Sequence, residues 1–258
     1  MTDDVSDWWS TAIIDMEPGH IALRGHPIQD LIGHVSFVNM IWLMLRGDQP
    51  SAGQSRLFEA ALVAAVDHGP QAPSIAAARM AVTCGLSLNN AMASAINMLG
   101  DVHGGAGEQA VALYHFVLAH SGTLDEALGD WTTDNGPIIP GFGHRFHTPK
   151  DPRAPRLMAL VEKAVAEGVC TGEFAKIGQQ VETSLGERKG RPIPMNIDGA
   201  TAVIYAELGF DAPLARGLFC LSRSVGILAH AWEQSQQGGR NKGPTPPHYR
   251  WTYTGTKP

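Results

Sequence analysis

The sequence predicts a mainly α-helical protein, and three observations support this fold class. Apolar residues recur at spacings of three and four over most of the 258 residues, which keeps them on one face of a helix. The alternation of apolar and polar residues that is typical of strands occurs only near the N-terminus. Segments rich in glycine and proline, at 100–107, 135–153 and 186–199, separate the helical stretches and are expected to be functional loops.

The elements of the N-terminal half follow in a simple order. Residues 12–15 and 21–24 predict a small hairpin. Helices are predicted at 36–45 and 51–66, where apolar residues have helical spacing, and the first of them ends before Gly47 and Pro50. Residues 76–99 are rich in alanine and methionine with small side chains on most faces, which predicts one long helix packed on several sides.

The C-terminal half continues the helical pattern and then changes character. Five more helices are predicted, at 106–120, 154–167, 174–185, 200–208 and 212–236. The tail at 238–258 contains too many glycines and prolines for a helix. It keeps aromatic and basic side chains, so we expect an extended arm that packs against another surface.

Composition and charge restrict the class of protein. A hydrophobic fraction of 44% with 17% charged residues is typical of a soluble globular enzyme. The net charge of −6 argues against a nucleic-acid partner. Three widely separated cysteines without CxxC spacing are typical of thiols in a reducing compartment. The N-terminus is acidic, so we expect no signal peptide. Uncharged apolar runs are too short to span a membrane, so we expect no membrane partner and a cytoplasmic protein.

Three short segments place an ionisable side chain beside glycine, where a ligand can approach the backbone closely. They are Val102-His103-Gly104-Gly105, Gly141-Phe142-Gly143-His144 followed by Asp151-Pro152-Arg153, and Asn196-Ile197-Asp198-Gly199. Two histidines and a carboxylate, brought together, could move protons to and from a carbon acid and a carbonyl oxygen. The sequence therefore predicts an acid–base site built from these loops.

Each of these three residues also has a simpler structural interpretation, which the residues alone leave open. His144 could be an exposed loop histidine. His103 could be a buried, hydrogen-bonded histidine at the start of a helix. Asp198 could cap a helix, which is the commoner role for an aspartate in such a position.

Seven short blocks follow one another in a fixed order between about residues 20 and 235. They are 23–31 (LRGHPIQDL), 43–50 (LMLRGDQP), 66–70 (VDHGP), the His103 loop, 140–144 with 151–153 (PGFGH and DPR), 196–198 (NID), and 222–226 with 229–230 (SRSVG and AH). Their order resembles the citrate synthase superfamily, and seven ordered blocks are far more specific than any single motif. The sequences at 143–145 (GHR), 67–70 (DHGP) and 197–199 (IDG), with the shortness of the chain, are similar to citryl-CoA lyases and to the lyase module of ATP-citrate lyase.

The resemblance implies a fold and a catalytic set. It implies a large helical domain formed by residues 1–105 and 200–258, with a smaller helical domain inserted at 106–199 and the site in the cleft between them. His144 would contact the hydroxyl or keto oxygen of the substrate, and Asp198 would exchange a proton with the α-carbon of the thioester. His103 would hydrogen-bond the enol oxygen.

The resemblance also implies substrate-binding residues. Arg153 and Arg223 would hold carboxylates, and His68 would hydrogen-bond a carboxylate or hydroxyl. The alternatives are a salt bridge with Asp151 for Arg153, a charge on a helix surface for Arg223, and a position at a helix C-terminus for His68. In the C-terminal arm, His248 aligns with an arginine by which bacterial synthases reach the substrate of the neighbouring subunit.

Coenzyme A is the implied cofactor, as a thioester substrate or product, and no metal is expected. The backbone at Ile139, Gly141, Phe142 and Gly143 resembles the loop that receives the adenine. Candidates for the phosphates are Arg145, Lys150, Arg188, Lys189 and Arg191, although the charges at 187–191 could also form a solvated surface. The family's phosphate-binding arginine is replaced by Thr148, which leaves the phosphate ligands open.

The function expected from this resemblance is the cleavage of citryl-CoA, or a close 3-hydroxy-3-carboxyacyl-CoA, into acetyl-CoA and oxaloacetate or another 2-oxoacid. One alternative is a citrate or 2-methylcitrate synthase, which also hydrolyses the thioester. Another is a non-catalytic CoA-binding subunit. The apolar, small-sided stretch at 76–99 resembles the family's dimer helices, so we expect a homodimer or a higher homo-oligomer.

Overall fold

The structure is a computed structural model that describes residues 8–144 and 151–256. Within these ranges it is mainly α-helical, which confirms the predicted fold class, with one three-stranded antiparallel sheet of order β1-β2-β3. The strands are β1 (Ile14–Glu17), β2 (His20–Leu23) and β3 (His26–Pro27). The helices are α1 (Ile28–Leu31), α2 (Phe37–Arg46), α3 (Ala52–Ala64), α4 (Pro73–Thr83), α5 (Leu88–Ile96), α6 (Ala106–Ala119), α7 (Leu124–Asn135), α8 (Arg153–Ala166), α9 (Glu173–Lys189), α10 (Ile197–Glu207) and α11 (Ala212–Gln237).

The chain forms two compact units, a first that ends at Glu59 and a second that begins at Ala60. In the first unit the predicted hairpin is confirmed, with Ile14 opposite Leu23 and Glu17 opposite His20. The Arg24 guanidinium donates to the carbonyl oxygen of Met44 at 2.7 Å and so ties the sheet to α2.

The second unit is built around α10 and α11. Apart from Asp198, the residues of α10 from Ile197 to Ala206 are buried, because this helix packs against α6, α8 and α9. α11 packs against α4, α5 and α6, and alanines at these contacts let the helices approach closely. The 26 residues of α11 are long and apolar enough to span a membrane, by length and composition alone.

The predicted single helix at 76–99 is wrong, because two helices, α4 and α5, cover this stretch. Gly85 takes a left-handed conformation with φ of +92°. The backbone N–H of Leu86 donates to the carbonyl oxygen of Ala81, which closes the end of α4. The turn lets α4 and α5 fold against each other and bury Ala78, Ala91 and Ala95 with residues of α11.

Two helices were not predicted from the sequence, α7 and the four-residue α1. α7 begins with a capping box, in which the Thr123 side chain accepts from the backbone of Glu126 and the Glu126 side chain accepts from the backbone of Thr123. The Thr-Leu-Asp-Glu sequence at 123–126 is a readable signature of this motif. The division into a large domain and an inserted domain at 106–199 stays a prediction.

Candidate active site

The N-terminus of α10 carries Asp198 in its first turn, and the cap of this helix is a different residue. The Asn196 side-chain oxygen accepts from the backbone N–H groups of Asp198 and Gly199 at 2.9 and 3.2 Å. Asn196 is therefore the N-cap of α10, and the alternative that Asp198 caps this helix is wrong. The carboxyl of Asp198 is left available for another role.

The electrostatic surroundings of Asp198 favour a bound proton. Burial raises the pKa of its carboxyl, and Asp151 acts in the same direction, whereas the positive charges of Arg223 and Arg153 lower it. Burial is the strongest of these effects, since an ionised carboxylate loses its hydration there. A carboxyl with a raised pKa has the proton affinity needed for exchange with a carbon acid.

The loop that carries His144 is fastened to the segment that leads into α10. The backbone N–H of Asn196 donates to the carbonyl oxygen of Gly141 at 3.0 Å. Asn196 Nδ2 donates to the carbonyl oxygen of Gly143 at 2.7 Å. A side chain at Gly141 would lie 2.7 Å from the Cα atom of Gly199, so the approach of the two segments depends on these glycines. The sequence positions of His144 and Asp198 are thus tied together in space.

Two histidines lie side by side at the end of this loop. The ring centroids of His144 and His68 are 5.6 Å apart, with an edge-to-face inclination of 63°. His68 lies beyond the end of α3 at Ala64, so the alternative of a helix C-terminal residue is wrong. Asp67, just before His68, accepts from the backbone N–H of Gly69 at 3.0 Å, which fixes this turn.

His103 is a neutral hydrogen-bond donor by the geometry of its partners. Its Nε2 atom lies 3.2 Å from the backbone nitrogen of Ser74 and 3.0 Å from Ser74 Oγ. Because a backbone N–H can only donate, Nε2 accepts and the ring carries its hydrogen on Nδ1. Burial lowers the pKa of His103, and the positive charge of Arg223 lowers it further. The Nδ1–H group is suited to hydrogen-bond a developing oxyanion.

Arg223 is buried on α11, with 5% of its surface exposed, so the alternative of a helix-surface charge is wrong. Its Nε atom donates to the carbonyl oxygen of Ala65 at 3.1 Å, and its guanidinium lies 4.7 Å from the Phe219 ring centroid. Burial lowers the pKa of Arg223, whereas the negative charges of Asp198 and Asp67 raise it. This arginine supplies positive charge to the space between Asp198 and His103.

Arg153 makes the salt bridge that was its structural alternative. Its Nε and Nη2 atoms donate to the two carboxylate oxygens of Asp151 at 3.0 and 2.9 Å. Asp151 is almost fully buried and also accepts from the backbone N–H of Ile197 at 3.3 Å. The pair therefore joins the start of α8 to the start of α10, and a carboxylate-binding role for Arg153 stays a prediction.

The residues predicted to bind CoA lie in different surroundings. An open groove runs along the end of α9, and it adjoins the 141–143 loop because Ile193 Cγ2 lies 3.8 Å from the position of a side chain at Gly143. Arg191 lines this groove, whereas Arg188 donates to Asp125 at 2.6 Å and Lys189 is exposed. Arg145 and Lys150 lie outside the described residues, as does Thr148.

The C-terminal arm follows α11 in the chain. Its first residues hydrogen-bond to α4, and the residues beyond them are exposed. The backbone N–H groups of Asn241 and Lys242 donate to the carbonyl oxygen and the hydroxyl of Thr83 at 2.8 and 3.1 Å. The ring of His248 lies against that of Tyr249, with centroids 4.7 Å apart. The substrate-binding role of His248 stays a prediction. Over residues 8–144 and 151–256, no group of three or more histidine, cysteine or acidic side chains is arranged to hold a metal ion.

Two contributors to the site were not predicted from the sequence: Ser74, and Asn196 as a cap. Asn196 could have been found, because an asparagine directly before a predicted helix is a typical cap. Ser74 could not, since it is separated from His103 by 29 residues and no pattern joins them.

Comparison with known proteins decides the family. Residues 44–245 match the family model of the citrate synthase C-terminal domain. The chain belongs to the citrate synthase family. A citrate synthase from Haloferax volcanii is 33% identical over 193 residues, which are 74% of this chain and 49% of that protein. The chain thus spans about half the length of the curated synthases that it matches.

Solved structures of the family extend the comparison. Citryl-CoA lyase from Hydrogenobacter thermophilus superposes with a TM-score of 0.87 at 33% identity, covering 97% of this chain and 96% of that one. ATP citrate lyase from Methanothrix soehngenii, in complex with citrate and coenzyme A, has a TM-score of 0.82 at 21% identity. It covers 96% of this chain and 42% of its own, and this likeness shows the fold alone.

Proposed function

We propose that this member of the citrate synthase family is a lyase that cleaves citryl-CoA, or a close 3-hydroxy-3-carboxyacyl-CoA. The products are acetyl-CoA and oxaloacetate, or another 2-oxoacid. The observation that carries this proposal is the match to the Hydrogenobacter citryl-CoA lyase over nearly the whole of both chains, at 33% identity. His144, His103 and the half-buried carboxyl of Asp198 supply the groups that such a cleavage requires.

In the proposed mechanism, His144 accepts the proton of the tertiary hydroxyl. The bond between the carbinol carbon and the α-carbon of the thioester then breaks, and its electron pair forms the enolate of acetyl-CoA. His103 Nδ1–H donates to the enolate oxygen and stabilises its negative charge. The protonated carboxyl of Asp198 gives its proton to the α-carbon, and the proton held by His144 restores Asp198 through solvent.

The raised pKa of Asp198 supports this assignment. A carboxyl with an ordinary pKa would be ionised at neutral pH and would have no proton to give. Burial at the start of α10 favours the neutral acid, while Arg223 and Arg153 keep ionisation within reach. The same group could remove a proton from acetyl-CoA in the condensation direction.

Binding of the two ends of the substrate is assigned to different parts of the second unit. Arg153, Arg223 and His68 would hold the carboxylates of the 2-oxoacid portion. The backbone at Ile139, Gly141, Phe142 and Gly143, with the adjoining groove at the end of α9, would receive the CoA portion. The phosphate-binding roles of Arg145, Lys150, Arg188 and Lys189 belong to this proposal.

A synthase is the second candidate, and the names of the sequence relatives favour it, since the curated matches are citrate synthases. The two reactions share the condensation and differ in thioester hydrolysis. The purified protein is incubated with citryl-CoA, and acetyl-CoA and oxaloacetate are followed by mass spectrometry. In a second reaction it receives acetyl-CoA and oxaloacetate.

Formation of acetyl-CoA and oxaloacetate from citryl-CoA, with citryl-CoA as the product of the second reaction, supports the lyase. Release of free CoA with citrate in the second reaction supports the synthase. Absence of turnover in both reactions, and with a panel of other 2-oxoacids, contradicts both candidates.

A homodimer in the cytoplasm belongs to the same proposal. An apolar stripe on α11, at helical spacing, is 41–58% exposed in the single chain and consists of Leu221, Val225, Leu228 and Trp232. A second copy that covers this stripe, by an isologous contact, would remove these side chains from water.

A further inference from the structure

We propose that His230, which lies outside the catalytic set, is a positioning residue for the carboxylate end of the substrate. It acts by holding Asp67, and thereby the turn that presents His68 to His144. This inference rests on the proposed function, because its kinetic consequence is expressed in the binding of a 2-oxoacid.

One face of α11 holds the stretch that leads to His68 at four successive places. Ser222 Oγ donates to the carbonyl oxygen of Leu62 at 2.5 Å, and Arg223 Nε donates to that of Ala65 at 3.1 Å. The Cα atom of Gly226 lies so close to the carbonyl oxygen of Val66 that no side chain would fit. His230, one turn further, reaches Asp67.

The hydrogen-bond partners of His230 determine which ring nitrogen carries the hydrogen. Arg79 Nη1 on α4 lies 3.1 Å from His230 Nδ1. A guanidinium has only donors, so Nδ1 must offer its lone pair. The hydrogen is then on Nε2, which lies 3.2 Å from Asp67 Oδ1 in a close polar contact. The neutral ring of His230 thus connects Arg79 on α4 to Asp67.

Both oxygens of Asp67 are thereby occupied. Oδ1 lies in close polar contact with His230 Nε2, and Oδ2 accepts from the backbone N–H of Gly69 at 3.0 Å. His68 lies between these two fastened residues, and its ring is the one that faces His144. Asp67 also attracts the buried guanidinium of Arg223. A displaced Asp67 would therefore disturb two predicted carboxylate ligands, His68 and Arg223.

Arg79 is itself held in place by α11. Its Nη1 donates to Glu233 Oε2 at 2.6 Å and its Nη2 donates to Gln237 Oε1 at 2.8 Å. Glu233 contacts Arg79 but is 56% exposed. This arrangement offers a matched control, because Glu233→Gln alters the same network at an exposed side chain.

The test compares His230→Leu, His230→Gln and Glu233→Gln in the full chain. Leucine keeps the volume and removes both the hydrogen bond from Arg79 and the polar contact with Asp67. Glutamine restores one donor and one acceptor near the positions of Nε2 and Nδ1. We expect His230→Leu to raise KM for oxaloacetate about tenfold, the loss of one hydrogen bond to a charged group, with kcat and the affinity for acetyl-CoA within about threefold. His230→Gln and Glu233→Gln should stay within about threefold of wild type on both parameters.

A second readout does not require turnover. Nitrogen-15 NMR of the imidazole rings should show His230 with its hydrogen on Nε2 in the wild type. Hydrogen on Nδ1, an unchanged KM in His230→Leu, or equal loss in His230→Leu and His230→Gln would each overturn the proposal. A wild-type protein without turnover would contradict the proposed function, while the NMR result would still decide the state of His230.

Discussion

The carboxyl of Asp198 is the group on which the proposed chemistry depends most directly. Replacement by asparagine keeps the shape of the side chain and removes the proton exchange. We expect Asp198→Asn to lower kcat by about 100-fold or more, the usual contribution of a positioned acid–base group. Binding of a CoA ester, measured by calorimetry, should stay nearly unchanged. A near-normal kcat would show that the carboxyl has only a structural role.

The raised pKa of Asp198 also makes a prediction about stability. A carboxyl with a higher pKa in the folded than in the unfolded state lowers the free energy of unfolding as pH rises between the two pKa values. Below the unfolded value, about 4, this contribution vanishes. We expect the stability of Asp198→Asn relative to wild type to increase as pH rises from about 4 through the raised pKa, and then to level off. Urea unfolding at pH 4 to 8 measures this difference, and a constant difference over that range would contradict the raised pKa.

Residues of the candidate site could be predicted from the sequence only where they lie within a short motif. His103, His144 and Asp198 stand beside glycines in short motifs, so their positions could be read directly. The partner of His103 could not, because Ser74 lies on another helix and contacts the ring only after the chain has folded. The proton positions on His103 and His230 depend on such long-range partners, and no local pattern predicts them.

Among the elements, the contact between the His144 loop and α10 is the one most sensitive to substitution. A side chain at Gly199 would overlap the carbonyl oxygen of Gly141. We expect Gly199→Ala to destabilise the protein by about 1–3 kcal/mol, the usual cost of overpacking, and to lower activity by displacing His144. Gly217→Ala on α11 is the control, since nothing lies within 4 Å of its added methyl group.

The control should be neutral or stabilising by up to about 1 kcal/mol, because alanine is the better helix former. Thermal and urea unfolding of the two variants check this expectation. Equal effects of the two substitutions would show that the loop does not depend on Gly199.

Helix prediction succeeded where the apolar spacing is regular and failed where a local signal was overlooked. α11 was predicted to within one residue of its observed end. The stretch at 76–99 was misread because its alanines suit both one helix and two, and Gly85 alone marks the turn. α7 is polar on much of its surface, so its capping box was a better signal than its periodicity.

At the scale of the whole molecule, the C-terminal arm carries a prediction about substrate binding in the proposed dimer. In the proposed dimer the arm crosses to the site of the second copy, and an imidazole stands where bacterial synthases carry a guanidinium. We expect His248→Arg to strengthen oxaloacetate binding by about 1–2 kcal/mol, the scale of a charge-assisted hydrogen bond. Isothermal calorimetry measures the affinity, with Lys242→Arg as a charge-conserving control in the same arm. Unchanged affinity in His248→Arg would show that the arm does not reach the site.

The proposed assembly and the predicted domain division are the features that depend least on local sequence. Both depend on how surfaces far apart in the chain meet, and local spacing does not contain this information. The apolar stripe on α11 shows the difference, since its residues fit a buried helix face and only their exposure in the folded chain supports the proposed contact surface.

Asn196 joins two features of the site, the start of α10 and the placement of the His144 loop. Its side-chain oxygen caps the N-terminus of α10, and its side-chain nitrogen donates to the carbonyl oxygen of Gly143. Fraying of the helix and opening of the His144 loop therefore both break hydrogen bonds of this one side chain. The amide hydrogens of Asp198, Gly199 and Gly143 should then exchange with solvent in one cooperative opening. Asn196→Asp keeps the acceptor and loses the donor, so it should speed exchange at Gly143 while Asp198 and Gly199 stay protected. In the native protein the acid and the base of the proposed reaction would be assembled, or lost, together.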